Sequence, residues 1–412
     1  MTERLRIDEP ATGTSTAPQW RAFLELGFRP LYPAGCLWGI VAVAVWVFAP
    51  QWLQGALSGV LWHAHETLWG FVATIALGFL LTASANWTGV NPLRGPALGG
   101  LALLWVSARV GFLVPGPTAF VLAALCELLF YGWGALALGR TIYATRNRRN
   151  YGVPVLVLAL GVADALFLYA IWADEYALLM RYFYTGLLCM AVIALLVARR
   201  VIPFFAMRAV TGLHIPMHTA SGQWQLAAGA LAVTGQLLGG TIAAAVGLAS
   251  AGALALWQVL AWKPLAVRRV PLLWILYAGY AGLGAGLLVA AAQAAGWVLL
   301  AAWPAHVIGV AGFGVLIIGM VTRTALGHLG RPLRTDRSMV AAYVLVIAAA
   351  VLRLVALLPT PLSLGTLHAS AGAWELAFAL YLWRFLPMLI RPRVDQPLSV
   401  PAPQPGSSGR PS

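Results

Sequence analysis

Twelve runs of mainly apolar residues follow one another along the chain. They lie at about 34–49, 62–85, 97–114, 118–140, 152–171, 178–198, 223–240, 243–262, 272–293, 304–322, 338–358 and 365–386. Each is near the ~20 residues that an α-helix needs to cross hydrocarbon. None alternates with the ~10-residue period of outer-membrane barrel strands. The pattern predicts an all-α, polytopic transmembrane helical bundle of about twelve spans. Its least distinct boundary separates the seventh and eighth runs, which only Gly239-Gly240 divides. Residues 1–26 form a polar N-terminal tail without the apolar core of a cleavable signal peptide. Residues 391–412, rich in Pro, Ser and Gly, predict a disordered C-terminal tail. A single membrane domain, 27–390, lies between them.

Composition supports this reading. Of 412 residues 61% are hydrophobic and 9% charged, against about 25% charged in a soluble chain. The net charge of +14 does not point to nucleic acid, because the basic residues sit in short loops between apolar runs. All 26 lysines and arginines except Arg109, Arg181 and Arg353 fall on the side of the N-terminus once twelve crossings are counted, and one opposite loop carries Asp174-Glu175. The positive-inside rule then makes both termini cytoplasmic. Cys36, Cys126 and Cys189 lie inside apolar runs without CxxC spacing and read as small core residues. No repeated motif suggests a duplication, and no broken span recurs at matching positions as in inverted-repeat transporters.

The twelve-span topology gives each polar residue a depth. His63 and His65 begin the second span, His306 the tenth and His368 the twelfth, all at the end away from the basic loops. Arg109, Arg181, Arg353 and Glu127 belong to the same half of the membrane. Ionisable groups in hydrocarbon are costly and usually functional. Helical bundles build haem and metal sites from facing helices, and neutral imidazole is the commonest ligand. Intramembrane arginines suit haem propionates, although Arg109 and Glu127 also read as a plain interhelical ion pair. His63 and Glu66, three residues apart, share a helix face, whereas His65 lies about 200° round from His63. The two histidines therefore read as serving two jobs, with Glu66 available to orient a ligand imidazole. His214 and His218 fall in a basic loop, and His328 closes the tenth span at its basic end.

Several motifs resemble the NnrS family of bacterial inner-membrane proteins. They include Gly27-Phe28-Arg29-Pro30, Trp62-His63-Ala64-His65-Glu66 with Gly70-Phe71, Gly78-Phe79-Leu80-Leu81-Thr82-Ala83 and Asn86-Trp87-Thr88-Gly89. Further along come Arg200-Val201-Ile202-Pro203-Phe204-Phe205, His306, Gly319-Met320-Val321-Thr322-Arg323 and Gly327-His328-Leu329-Gly330-Arg331-Pro332-Leu333. Two positions depart from the family pattern, Thr67 for a usual Met and Leu329 for a usual Thr, and neither removes a ligand. The resemblance implies a multi-pass protein of the bacterial inner membrane that contains haem and copper. It further implies association with denitrification and protection against nitric oxide and nitrosative stress.

On that basis the expected haem is b-type, since no CxxCH attachment motif is present. His63 or His65 pairs with His306 as its ligands, and Arg109, Arg181 and Arg353 are available for the propionates. His368 completes a copper site with the remaining histidine, and His328, with Arg323 and Arg331, belongs to a separate element at the basic face, either a second metal site or a structural anchor. The expected partners are haem, copper, nitric oxide or nitrosylated species, the bilayer and an electron donor that the sequence does not identify. Binding, sensing and turnover of nitric oxide all fit these residues. The competing reading is a proton-coupled secondary transporter or exporter that uses Asp164, Glu127 and Glu375.

Overall fold

The computed structural model describes residues 17–216, 219–298 and 300–394. Most of both expected tails, and His218, lie outside the described residues. Among those described there is no β-strand. Each predicted run is a helix: α1 (Phe28–Phe48), α2 (Gly59–Thr88), α3 (Pro96–Gly111), α4 (Pro117–Ala144), α5 (Gly152–Trp172) and α6 (Tyr176–Ala209). They continue as α7 (Thr219–Leu238), α8 (Thr241–Ala261), α9 (Pro271–Ala294), α10 (Trp303–His328), α11 (Arg337–Ala356) and α12 (Ser363–Leu389).

Among the described residues nine of these are long and apolar enough to cross a membrane. The other three have local causes. Helix α3 has only 16 residues, α7 carries Gln223, Gln225 and Gln236, and α12 carries His368, Glu375 and Arg384. A count of twelve and the orientation of the termini therefore rest on the charge pattern.

Helix α2 is the centre of the bundle. Of its most apolar stretch 83% is buried, against 33% for α11 at the periphery. It packs on α1, α4 and α6 and touches α10, while the remaining helices run round it as neighbouring pairs such as α11–α12, α8–α9 and α5–α6. Both α2 and α10 widen into a π-helix near the end opposite the basic loops, over Glu66–Ala73 and Val307–Gly314. A π turn holds an extra residue and frees carbonyls from their usual partners. In α2 these are recaptured by side chains: Tyr131 Oη–H and Thr74 Oγ1–H donate to the Trp69 carbonyl at 2.6 and 3.1 Å, and Trp105 Nε1–H donates to that of Gly70 at 3.3 Å. Side chains from three helices thus stabilise a backbone form that lipid alone would not tolerate.

The paired π stretches expose a duplication that the sequence reading did not find. Trp62-His63-Ala64-His65 enters the first and Trp303-Pro304-Ala305-His306 the second, 241 residues on (62 to 303, 65 to 306). The same spacing relates the π stretches (66–73 to 307–314), Gly78 to Gly319, and the helix-ending Gly89 to Gly330. Both of the last pair adopt positive φ, 73° and 68°, and both precede a Pro-Leu-Arg. Packing repeats as well: a Cβ on Gly35 of α1 would strike Ile75 of α2, and one on Gly279 of α9 would strike Leu316 of α10, again 241 residues on (75 to 316). The backbone form of α2 and its close packing on α1 thus recur in α10 and its packing on α9.

Candidate functional site

The two histidines that open α2 face different neighbourhoods. His65 points toward α4 and α5 into a fully buried cluster with Glu66, Arg109, Glu127 and Asp164. Its Nδ1 lies 2.9 Å from Glu66 Oε1, and its Nε2 lies 3.0 Å from Asp164 Oδ1 and 3.3 Å from Glu127 Oε2. A carboxylate can only accept, so Nδ1–H donates to Glu66. Arg109 forms ion pairs with both Glu66, at 2.5 Å, and Glu127. Trp38 Nε1–H donates to Glu66 Oε2 at 2.5 Å. Rings close the site: Phe112 and Phe167 lie 5.0 and 5.9 Å from the His65 centroid. Gly70 is needed here, because a Cβ on it would lie 2.6 Å from Arg109 Nη1 and 2.7 Å from Glu66 Oε2.

Taking ions out of water costs several kcal/mol each, and only close opposite charge offsets that cost. Three carboxylates here share one guanidinium and one imidazole. Asp164 Oδ2 is buried without a hydrogen-bond partner.

His63 faces the other way, toward α10. Its ring lies 6.3 Å from that of His306, with an interplanar angle of 20°, and is stacked on Trp46 at 5.2 Å. Both line an otherwise apolar cavity of about 270 Å³ with Arg353, Tyr184 and Gly309. His306 Nδ1–H donates to the Ala302 carbonyl at 2.7 Å, which leaves Nε2 with a free lone pair. The buried Nδ1 of His63 has no hydrogen-bond partner. Among the described residues no acidic group pairs with Arg353. A Cβ on Gly309 would meet nothing within 4 Å, so the wall of α10 is bare where it borders the cavity.

The remaining sequence candidates are spread more widely. Arg181 lies beside Gly239 at the α7–α8 turn. His368 is exposed, with its ring 5.4 Å from Phe48. His328 packs on Phe28 at 5.5 Å at the basic end of α10, and His214 is exposed in the loop after α6. Glu127 and Asp164 converge on one cluster, whereas Glu375 lies apart on α12. The sequence reading missed the contact of Asp164 with His65. The residues are 99 positions apart on different helices, and the only available signal was that both are ionisable within apolar runs.

The profile of the NnrS protein family matches residues 22–393, nearly the whole chain. No curated protein matches it.

Proposed function

The chain belongs to the NnrS family, and on that premise we propose that it is a haem-binding membrane protein of the nitric oxide response, in which His63 and His306 would hold the haem iron. The observation that carries this reading is the pairing of those rings. Two imidazole nitrogens about 2 Å from one metal ion place their ring centroids roughly 6 Å apart, and the observed separation is 6.3 Å. The surroundings fit the group as well. His306 presents a bare Nε2, fixed by its backbone hydrogen bond. His63 has an uncommitted ring nitrogen, and Arg353 supplies a cation without a partner acid, suited to a propionate. Gly309 leaves room for a flat macrocycle against the backbone.

When bound, the haem supplies an iron with affinity for nitric oxide and with one-electron chemistry. The protein's part is to hold both imidazoles in register, one from α2 and one from α10, and to line their surroundings with apolar side chains that exclude water. Copper is the second metal of this reading. The histidines left for it, His65, His328 and His368, sit apart from one another, so no ligand set is assigned. The setting we propose is the inner membrane of a bacterium that handles nitric oxide during denitrification. The transporter alternative has less support, because Arg109 holds Glu127 in an ion pair and Glu375 does not join the cluster.

Haem content of the purified protein tests the proposal. We expect about one b-type haem per chain, a Soret band that shifts on addition of nitric oxide, and loss of most haem in His63→Ala and in His306→Ala but not in His368→Ala. A wild-type protein without haem, or one whose haem survives both substitutions, would contradict it.

A further inference from the structure

We propose that His65, Glu127 and Asp164 form a second, separate site for a non-haem divalent metal ion of the zinc, manganese or ferrous class, oriented by Glu66 and charge-balanced by Arg109.

Geometry is the first argument. One donor atom from each of the three residues lies within 4.8 Å of the other two. The separations at His65 Nε2 are 3.0 and 3.3 Å. Donors about 2.1 Å from a common ion, at right to tetrahedral angles, are roughly 3.0–3.4 Å apart. A single ring proton on Nε2 can be directed along only one of the two contacts, and only the one to Asp164 has hydrogen-bond geometry. Glu127 Oε2 and Asp164 Oδ2 are left buried without hydrogen bonds. An ion among the three would engage Nε2 and both acids together.

Charge is the second argument. With His65 neutral, Glu66, Glu127 and Asp164 against Arg109 leave the buried cluster at −2, which a divalent ion cancels. Orientation is the third. Glu66 Oε1 accepts from Nδ1–H at 2.9 Å, so the Nε2 lone pair points at the acids, and this carboxylate–imidazole contact is the usual support of a metal-bound histidine. Glu66 is itself held by Arg109 and Trp38. The duplication adds that His65 occupies the register of His306, the last residue before each π stretch. One imidazole and two carboxylates suit borderline and hard divalent ions rather than the soft cuprous ion.

The test uses the full chain in detergent, stripped with a chelator and dialysed against Mn²⁺, with bound metal read by elemental analysis and Mn²⁺ EPR. Wild type is expected to hold one Mn²⁺ per chain. The near-isosteric Glu127→Gln and Asp164→Asn should each weaken binding at least tenfold while haem content stays unchanged, and His63→Ala should show the reverse pattern. Failure of the haem reading and failure of this one are therefore distinguishable. Should either cluster variant fail to fold, X-ray absorption of Zn²⁺-loaded wild type decides: one imidazole in an otherwise oxygen shell is expected. No bound ion in folded wild type, binding indifferent to both variants, or a sulfur or multi-imidazole shell would overturn the proposal and leave two protons as the compensating charge.

Discussion

Arg109 carries most of the burden at the His65 cluster, because it alone gives a fixed positive charge to two buried carboxylates. Arg109→Met would fill much the same space and leave Glu66 and Glu127 facing each other uncompensated. Removing one partner of a buried ion pair costs about 3–5 kcal/mol, so thermal unfolding in detergent should occur well below the wild-type temperature. Glu127→Gln in the same background should recover part of the loss. A milder case is Asp336, outside the membrane-spanning segments, which caps α11. Burial raises its pKa, but hydrogen bonds from Ser338, the Met339 N–H and Arg384 outweigh this and hold it below the ordinary 3.8. A depressed folded-state pKa means that the stabilisation is present above about pH 3.8 and fades as the pH falls through the lower folded value. Asp336→Ala should lose about 1 kcal/mol at neutral pH, and that difference should shrink below pH 3.8 in unfolding scans. At this scale the sequence was informative within one helix and poor between helices. Two residues of spacing put His63 and His65 on opposing faces, but three put Glu66 on the side of His63, whereas its carboxylate bonds the adjacent His65. That Asp164 would meet His65 depends on how α5 docks on α2, which no local pattern encodes.

Helices α2 and α10 show what a periodicity argument loses. Apolar runs marked both, yet the π stretches leave no trace in hydrophobic pattern, and beyond Glu66 or Val307 a projection at 100° per residue misassigns the faces. The duplication did leave traces. Trp-x-Ala-His recurs at a spacing of 241 residues and Pro-Leu-Arg at 240, but so few matching residues stand out only once two helices are seen to share an uncommon backbone form. Glycines test the packing. A Cβ on Gly282 would come within 2.2 Å of the Ala311 carbonyl oxygen, a backbone atom that no rotamer change can move aside. Gly282→Ala should therefore push α9 and α10 apart and cost about 1–3 kcal/mol. Gly309→Ala meets open space and should leave thermal unfolding close to wild type. The contrast between the two midpoints is the expected outcome, and equal behaviour would show that the α9–α10 contact is misplaced.

The bundle as a whole separates a basic end from a histidine end. Helix class and element order were legible because hydrocarbon demands long apolar runs. The number of crossings was less so, since α3, α7 and α12 combine apolar faces with short length or polar residues. Orientation is a claim of the arginine distribution. In a background without the three native cysteines, a cysteine at Asp174 should react with an impermeant maleimide from outside intact cells, and one at Arg146 only after the membrane is opened. Depth suggested His306 as the partner of His63 or His65, and the fold places the His63 and His306 rings on one cavity, one from α2 and one from α10.

The haem iron proposed to be held by these two rings is tested most directly by its spin state. EPR of the ferric protein should show a low-spin haem with two imidazole ligands. In either His63→Ala or His306→Ala, any haem retained should become high-spin and five-coordinate, with the low-spin signal restored by added imidazole. A low-spin signal unchanged in both variants would place the haem elsewhere and contradict the account.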